Sequence, residues 1–160
     1  MASSISIRRA TPEEAGALSA LAFLSKAHWG YDAAFMAACR EDLTISAEQL
    51  TTWSSFVAER DGHPLGFYTL TETGRGAELQ HLFVSPAAIG SGIGKALWLH
   101  MLGEARARGQ DTILIESDPH AEAFYLAMGA ERIGTAPSSV FPDRQLPLLR
   151  YQMQNDAMPR

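Results

Sequence analysis

The hydrophobic pattern at the start of the chain predicts one strand and two helices. Isoleucines alternate with polar neighbours over residues 4–9, which is typical of a short strand. The letters TPEE then place Thr11 as a helix N-cap, followed by a proline at the first helical position and a glutamate that completes a capping box. Apolar residues at helical spacing continue this helix to about Ala27. A break at Gly30 separates it from a second, short helix over residues 32–41.

The middle of the chain predicts three antiparallel strands. Strand-forming residues over 53–57 and 67–70 flank Asp61-Gly62, a pair that is typical of a hairpin turn. After the loop TGRG, the segment AELQHLFV predicts a third strand over residues 77–84.

The second half of the chain predicts a crossover between parallel strands. A glycine-rich segment leads into a helix that ends near Arg108, and DTILIE follows as a buried strand. Asp118 is predicted to cap a short helix with Pro119 at its first position, and the strands AERIGTA and LPLLRYQM complete the order. Strand–helix–strand units cross over right-handed, so their strands are parallel. The prediction is an α/β fold with a mixed, mostly antiparallel sheet of about seven strands and helices on both faces.

Composition restricts the class of protein. With 160 residues, 46% of them hydrophobic and 19% charged, the chain is predicted to form a single domain over residues 1–160. A net charge of -5 without a basic face argues against a nucleic-acid partner. The single cysteine, Cys39, excludes an internal disulfide and fits a reducing compartment. No signal peptide or membrane-spanning run is evident, so a cytoplasmic protein without a membrane partner is expected.

The segment IGSGIGK, residues 89–95, is the first candidate for chemistry. Glycine costs conformational entropy, so three glycines at alternate positions indicate either a tight turn or a ligand close to the backbone. A helix that begins here presents unpaired N–H groups at the positive end of its dipole, which suits a phosphate. The glycines alone leave phosphate binding and a plain turn equally open.

Together, the strand order and this motif resemble the GNAT superfamily of acetyl-CoA-dependent N-acetyltransferases. In that family a Val and a Pro end a strand, and Gln/Arg-x-x-Gly-x-Gly/Ala opens the next helix. Here Val84, Pro86, Gly92 and Gly94 match, and Ile89 stands where Gln or Arg is usual.

A second signature of the same family lies downstream. The segment HAEAFYLAMGA keeps the Ala, the Phe-Tyr pair and the Gly of that signature, with His120 in place of its Asn. The two motifs occur in the right order, and the resemblance extends from Ile5 to Met153.

The resemblance implies acetyl-CoA as co-substrate, bound largely through the backbone. The glycine loop would receive the pyrophosphate, and the strand before it would hydrogen-bond the pantetheine arm as a pseudo-strand. The glycines would thus admit a diphosphate to the backbone. The implied cofactor-binding residues are Leu82, Phe83, Val84, Ile89, Gly90, Ser91, Gly92, Ile93, Gly94, Lys95 and His120.

The resemblance also implies the catalytic groups. Tyr125 matches the family tyrosine that protonates the leaving thiolate, and a phenol with a pKa of about 10 keeps its proton at neutral pH. The alternative for Tyr125 is packing on the buried face of its helix. Glu78 falls where one branch of the family places its general base, although many members use water or backbone groups. His81 is the other candidate, and simple alternation puts it on the opposite side of the strand unless a bulge changes the parity.

The acceptor is predicted to be a primary amine of a small molecule or peptide. His28, Trp29 and Tyr31 form an aromatic, partly polar cluster suited to the wall of an amine pocket, with His81 nearby in the same role. Alternatively, Trp29 anchors its loop against the core. The loop PSSVFPDR offers two serines and Arg144 as contacts for a carboxylate or phosphate, or it is only a strand connection.

Several further possibilities are weighed. No metal is predicted, because the five histidines lack ligand spacing, and Cys39 is expected to pack rather than to act as a nucleophile. One alternative to the enzyme is a catalytically silent acyl-CoA-binding sensor or scaffold. A weaker one is a dinucleotide-binding Rossmann domain, which would need a parallel βαβ series. A homodimer formed through the C-terminal strands is also possible.

Overall fold

A seven-stranded sheet forms the centre of the structure, a computed structural model that describes residues 4–153. The strand order is β1-β2-β3-β4-β5-β7-β6, and only the β4–β5 pair is parallel. The strands are β1 (Ser6–Arg9), β2 (Ser54–Arg60), β3 (His63–Thr73), β4 (Gly76–Val84), β5 (Thr112–Glu116), β6 (Glu131–Pro137) and β7 (Gln145–Gln152). The helices are α1 (Ala15–Ala27), α2 (Ala33–Cys39), α3 (Ala47–Thr52), α4 (Ile93–Ala107) and α5 (Glu122–Ala127).

The topology confirms the predicted fold class. Consecutive strands pair antiparallel along most of the sheet, and the β4–α4–β5 crossover supplies the parallel pair. A dinucleotide-binding Rossmann domain requires a doubly wound parallel sheet, so that alternative is wrong. β6 lies at one edge of the sheet, and the predicted self-association through β6 and β7 stays a prediction.

Two hydrophobic clusters cover the two faces of the sheet. Neighbouring side chains of a strand point to opposite faces, and Phe67 and Tyr68 on β3 accordingly enter different clusters. Tyr68 packs with Leu97 and Trp98 of α4 and with residues of α5, whereas Phe67 packs with Leu18 and other residues of α1 to α3. The predicted placement of helices on both faces is therefore confirmed.

The predicted helix start at Thr11 is confirmed, with one change in geometry. The Thr11 N–H donates to Oε1 of Glu14 at 2.9 Å, as expected for a capping box, and a proline occupies the first position. The first turn, Pro12–Glu14, is however a 3-10 turn, and α1 begins at Ala15. The second helix is shorter than predicted, because α2 ends at Cys39.

One helix, α3, was not predicted. The N–H of Gln49 donates to Oγ of Ser46, and Oε1 of Gln49 accepts from the Ser46 N–H, each at 3.0 Å. This reciprocal pair is a capping box, so the spacing Ser-x-x-Gln was a usable signal. Trp53 follows the end of this helix, and β2 therefore begins at Ser54 rather than at the tryptophan.

The predicted cap of the last helix is wrong. α5 begins at Glu122, and Ala121 rather than Asp118 occupies its N-cap position. Pro119 consequently lies before the helix instead of at its first position. The Asp118 carboxylate instead bonds with side chains from distant parts of the chain, described below, and those tertiary contacts outweigh the local capping signal.

The β4 and β5 strands separate soon after they meet. They pair only at Ala77 with Ile113 and at Glu78 with Leu114, and β5 otherwise pairs with β7. Beyond Glu78, the edge of β4 that faces β5 has no ladder partner among residues 4–153. The divergence opens the sheet from this point to the end of β4.

Candidate active site

A cavity of about 620 Å³ occupies the opening between the diverging strands. The second half of β4 and the end of β5 form its walls, and the start of α4 closes one end. Residues from the end of α1, from α5 and from the segment before β7 complete the lining. The cavity thus gathers most of the segments in which the sequence predicted functional residues.

The glycine loop adopts the conformation that its sequence requires. Gly90 has φ 84° and Gly92 has φ 88°, both in the left-handed region that favours glycine. An added Cβ would meet nothing within 4 Å at either position, so backbone conformation rather than crowding demands glycine there. The Ser91 N–H donates to the Ala88 carbonyl at 3.2 Å, whereas the N–H groups of Gly90 and Gly92 have no acceptor within residues 4–153.

The remaining residues of the predicted phosphate loop line the cavity, pack in the core or leave room for a neighbouring ring. Ile89 and Lys95 line the cavity, and Ile89 leaves 43% of its surface exposed. Ile93, by contrast, buries its side chain in the core, so only its N–H is available to a ligand. Gly94 lets a neighbouring side chain approach closely, because an added Cβ would lie 3.2 Å from the Phe124 ring.

The end of β4 has the features that a pseudo-strand ligand requires. Leu82, Phe83 and Val84 all line the cavity, as the resemblance implied. Their backbone edge toward β5 lacks a partner among the described residues. An extended ligand with amide groups therefore fits this edge by β-augmentation.

A β-bulge resolves the position of the two candidate bases. In the β3–β4 ladder Thr69 pairs with His81 and Leu70 pairs with Leu79, so Gln80 is the extra residue. This insertion changes the parity of the strand beyond it. The alternation that would separate Glu78 from His81 therefore does not apply, and both lie on the same face of the sheet.

Contacts of the two candidates support this assignment. His81 Nδ1 lies 2.7 Å from Oγ1 of Thr69, and Glu78 lies opposite Thr71, two residues further along the same face of β3. The Gln80 amide bridges this group, because its Nε2 donates to Oγ1 of Thr71 at 3.0 Å and to Oε1 of Glu78 at 3.2 Å. Glu78, Gln80 and His81 all line the cavity.

Burial makes His81 a weak base. Removal from water disfavours the charged imidazolium and lowers the pKa of His81 to about 4. The ring is therefore neutral at pH 7, and it packs near the rings of Phe67 and Phe83. A group with this pKa suits a neutral hydrogen-bonding wall better than proton abstraction from an ammonium.

Tyr125 occupies the inner part of the cavity lining. Its ring is only 6% exposed and packs against Trp98 and Phe124, so part of the predicted packing role is present. No residue within 4–153 hydrogen-bonds its hydroxyl, although the residue lines the cavity. Burial raises the pKa of Tyr125, so the phenol holds its proton throughout the neutral range.

The thiol of Cys39 is also buried and its pKa is raised by burial, which argues against a nucleophilic role.

A hydrogen-bonded cluster around Asp118 contributes several residues to the lining. The Asp118 carboxylate accepts from Lys26 Nζ at 2.8 Å and from the Tyr31 hydroxyl at 2.9 Å. It also accepts from the His120 N–H at 2.8 Å. Burial would raise the pKa of Asp118, but the hydrogen bond and charge of Lys26, with the donors of His120 and Tyr31, lower it to about 2.

The predicted aromatic residues take different places around this cluster. Trp29 stacks on His120 with ring centroids 5.3 Å apart, and both residues line the cavity. The His120 Nδ1 lies 3.0 Å from both Asp118 and the Tyr31 hydroxyl, so the cluster rather than the backbone fixes this ring. His28 packs edge-on against Trp29, with ring centroids 5.8 Å apart, and is not part of the cavity lining.

Arg144 joins the cluster from the loop before β7. Its Nη2 donates to the Tyr31 hydroxyl at 2.7 Å and lies 3.9 Å from Asp118 Oδ2. The two serines of the same loop line the cavity but bond to other protein groups. Ser138 accepts backbone N–H groups within the loop, and Ser139 donates to Asp42 at 3.0 Å.

Sequence reasoning missed Lys26 and the true role of Asp118. Lys26 is an unremarkable cation in the last turn of α1, and Asp118 resembled a helix cap. The two residues are 92 positions apart in the chain, and no local pattern links them. Only the tertiary structure, in which α1 packs on β3 and β4, brings Lys26 to the segment after β5 that carries Asp118.

The described residues include neither a metal-binding group nor a membrane-spanning helix. No group of three His, Cys, Asp or Glu side chains within residues 4–153 is arranged to hold a metal ion. Over the same residues, no helix combines the length and the apolar character needed to cross a membrane.

Comparison with solved structures shows the same fold in several acetyltransferases. A GCN5-related N-acetyltransferase from Rhodopseudomonas palustris is 21% identical, with a TM-score of 0.81 over 96% of this chain and 98% of that chain. The PaiA N-acetyltransferase of Thermoplasma acidophilum, in complex with coenzyme A, is 18% identical with a TM-score of 0.77 over 93% and 99%. The yncA protein of Salmonella typhimurium, with its cofactor acetyl-CoA, is 21% identical with a TM-score of 0.68 over 99% of each chain.

The sequence also matches a family model, and this comparison does not depend on the structure. No curated protein matches the chain. The family model of the acetyltransferase (GNAT) family matches residues 22–130, which include the glycine loop, both candidate bases and Tyr125. The chain therefore belongs to the GNAT acetyltransferase family.

Proposed function

We propose that the protein is an N-acetyltransferase that moves an acetyl group from acetyl-CoA to a primary amine of a small molecule or peptide by direct attack. One observation carries the proposal: the glycine loop, the end of β4 with its unpaired edge, and Tyr125 all line the same cavity. Membership of the GNAT family and the structural likeness to proteins that bind coenzyme A or acetyl-CoA support it.

The chain's own groups account for the binding of the cofactor. The N–H groups of Gly90 and Gly92, with those of the first turn of α4, would hold the diphosphate at the positive end of the helix. Lys95 adds a cation to the same turn. The unpaired edge at Leu82 to Val84 would hold the amide groups of the pantetheine arm. Acetyl-CoA, when bound, supplies an acetyl group activated as a thioester.

Two residues would manage the protons of the transfer. The acceptor nitrogen must be neutral to attack, and Glu78 would remove its proton through water. A carbon–nitrogen bond then forms and the carbon–sulfur bond of the thioester breaks. Tyr125 would donate its proton to the leaving sulfur, and its raised pKa keeps that proton in place until it is needed.

The binding of acetyl-CoA by wild type and by Lys95→Glu, measured by calorimetry, tests the proposal. The variant places a carboxylate in the first turn of α4, where a negative charge suits the helix dipole but repels the diphosphate. We expect micromolar binding by wild type and a loss of about 10- to 100-fold in the variant. Arg106→Glu is the matched control, because it makes the same charge change in the last turn of the same helix, outside the cavity lining.

Each result has a defined meaning. Equal losses in both variants would attribute the effect to overall charge rather than to a diphosphate site. If folded wild type does not bind acetyl-CoA, the proposed function is wrong. Binding without turnover of any amine would instead favour the silent acyl-CoA-binding module.

A further inference from the structure

The cluster around Asp118 contains more positive than negative charge. Lys26 and Arg144 both approach this one carboxylate, with Nζ at 2.8 Å and Nη2 at 3.9 Å from Oδ2. The side chains of Lys26 and Asp118 are each 15% exposed, and that of Arg144 is 24% exposed. We call Lys26, Tyr31, Asp118 and Arg144 the cationic cluster. With Asp118 ionised, this half-buried group carries one excess positive charge.

The hydrogen bonds of the cluster are unevenly distributed. Asp118 already accepts from Lys26, Tyr31 and His120, so its oxygens are well satisfied. The Arg144 side chain, in contrast, makes one hydrogen bond, from Nη2 to the Tyr31 hydroxyl. A guanidinium has five N–H donors, and those on Nε and Nη1 have no acceptor within residues 4–153. Two of the three donors of the Lys26 ammonium are likewise unused by that part of the chain.

Aromatic rings hold these two cations in position. The Arg144 guanidinium carbon lies 5.0 Å from the ring centroid of Phe35 and 5.4 Å from that of Tyr31. Lys26 Nζ lies 5.3 Å from the centroid of Tyr31. Such cation–π contacts fix the direction of the side chains and displace water on one side of each charge. The unused donors are thus held in a restricted set of directions.

The cavity brings the cationic cluster within reach of the reacting groups. Lys26, Asp118 and Arg144 line the same space as Glu78 and Tyr125. Arg is the side chain best suited to bidentate binding of a carboxylate or phosphate. The unused donors belong to residues that line the cavity, so an anionic group of a molecule that enters it can replace water as their acceptor.

We propose that the acceptor carries an anionic group, a carboxylate or a phosphate, beside its reactive amine, and that Arg144 with Lys26 binds this anion. The acceptor is thus a small amino acid or an aminoalkyl phosphate rather than a simple amine. Its ammonium would face Glu78, the carboxylate at the point where β4 leaves β5. This inference rests on the proposed function, because it names the substrate class of the same site.

Matched pairs of amines test the inference, with coenzyme A release measured at saturating acetyl-CoA. The panel pairs each proteinogenic amino acid with its decarboxylated amine, β-alanine with ethylamine, and 2-aminoethyl phosphate with ethanolamine. We expect the best acceptors to carry the anion and to exceed their partners at least about 10-fold in kcat/KM. Comparison of the gain for 2-aminoethyl phosphate over ethanolamine with the gains for the carboxylate pairs distinguishes a phosphate-binding site from a carboxylate-binding site.

Arg144→Gln supplies the residue-level test. It should raise the KM of the best anionic acceptor at least about 10-fold and leave kcat/KM for the partner amine within about threefold. Arg106→Gln, which removes one exposed arginine outside the cavity, is the matched control. The thermal midpoint with coenzyme A and the best anionic acceptor gives a readout independent of turnover. Wild type should be stabilised by the acceptor, and Arg144→Gln should not.

The outcomes separate this inference from the proposed function. Failure of wild type to bind acetyl-CoA would overturn both. If acetyl-CoA binds and amines without an anion are acetylated equally well, the inference fails and the proposed function stands. The inference also fails if no anionic member of the panel is acetylated, or if Arg144→Gln affects both members of a pair equally.

Discussion

At the scale of single residues, the half-buried His81 couples stability to pH. Its pKa is about 4 in the folded protein, against an ordinary value of 6.5. As pH falls, the unfolded chain therefore takes up this proton first, and the stability contributed by neutral His81 is lost between pH 6.5 and 4. One pKa unit corresponds to about 1.4 kcal/mol, so the full shift corresponds to about 3.5 kcal/mol, of which about 2–3 kcal/mol should be lost between pH 7.5 and 4.5.

Urea unfolding at pH 7.5 and at pH 4.5 measures this contribution. The free energy of unfolding of wild type should fall more between the two conditions than that of His81→Gln, which has no titrating ring. Only the difference between pH values is compared, so a general destabilisation of the variant does not affect the test. An equal fall in both proteins would show that His81 is not the group responsible.

The Tyr125 hydroxyl gives the second prediction at this scale. Tyr125→Phe removes the proposed acid but keeps the ring that packs against Trp98 and Phe124. General acid catalysis contributes about 10²- to 10⁴-fold, so we expect kcat to fall at least about 100-fold. The affinity for acetyl-CoA should stay within about threefold of wild type, as measured by calorimetry.

Tyr151→Phe is the control for this substitution. Tyr151 also packs against Trp98, but it does not line the cavity, so its hydroxyl should be dispensable for turnover. If Tyr125→Phe turns over as fast as wild type, the tyrosine only packs, and the proton reaches the leaving sulfur from another donor.

At the scale of elements, close packing of α4 on the sheet depends on Gly66 of β3. A Cβ at this position would lie 2.8 Å from the carbonyl oxygen of Phe83 and 3.0 Å from Cδ1 of Leu97. Because the backbone oxygen cannot move without shifting β4, we expect Gly66→Ala to lower the free energy of unfolding by about 1–3 kcal/mol.

Gly103→Ala provides a matched change in the opposite direction. Gly103 lies within α4, and an added Cβ would meet nothing within 4 Å. Alanine is favoured over glycine in a helix interior, so this variant should gain about 0.5–1 kcal/mol in chemical unfolding. A neutral or stabilising Gly66→Ala would contradict the close packing of α4 described above.

Element boundaries show how far local signals reach. The helix start at Thr11 and the helix end near Arg108 were predicted correctly, because the groups that satisfy helix termini lie within a few residues. The capping box at Ser46 carried the same kind of information and marks the start of α3. Asp118 failed as a cap because Lys26 and Tyr31 bind its carboxylate, and neither is near it in sequence.

At the scale of the whole molecule, the site arises where three long-range arrangements meet. The divergence of β4 from β5 opens the cavity, and the bulge at Gln80 turns Glu78 and His81 to one face. The packing of α1 on β3 and β4 then places Lys26 beside Asp118, in the segment that follows β5. Each arrangement depends on contacts between residues that are far apart in the chain.

The sequence by itself determined the class of the fold, the glycine loop and the family. The fold class follows from periodicity, and the family follows from two motifs with fixed spacing. The glycine loop follows from the left-handed conformation that Gly90 and Gly92 adopt, which other residues disfavour. All of these are local properties. The position of Tyr125 within the second motif is of the same kind.

Only the tertiary structure decided which side chains share the cavity and which charges they carry. The shared face of Glu78 and His81 depends on the register of the β3–β4 ladder, because one extra residue reverses the alternation. The low pKa of His81 depends on burial among rings that are distant from it in the sequence. The excess positive charge of the cationic cluster depends on Arg144 lying beside the ion pair of Lys26 and Asp118, two residues 92 positions apart. Electrostatics acts through space and not along the chain, so local patterns do not encode it.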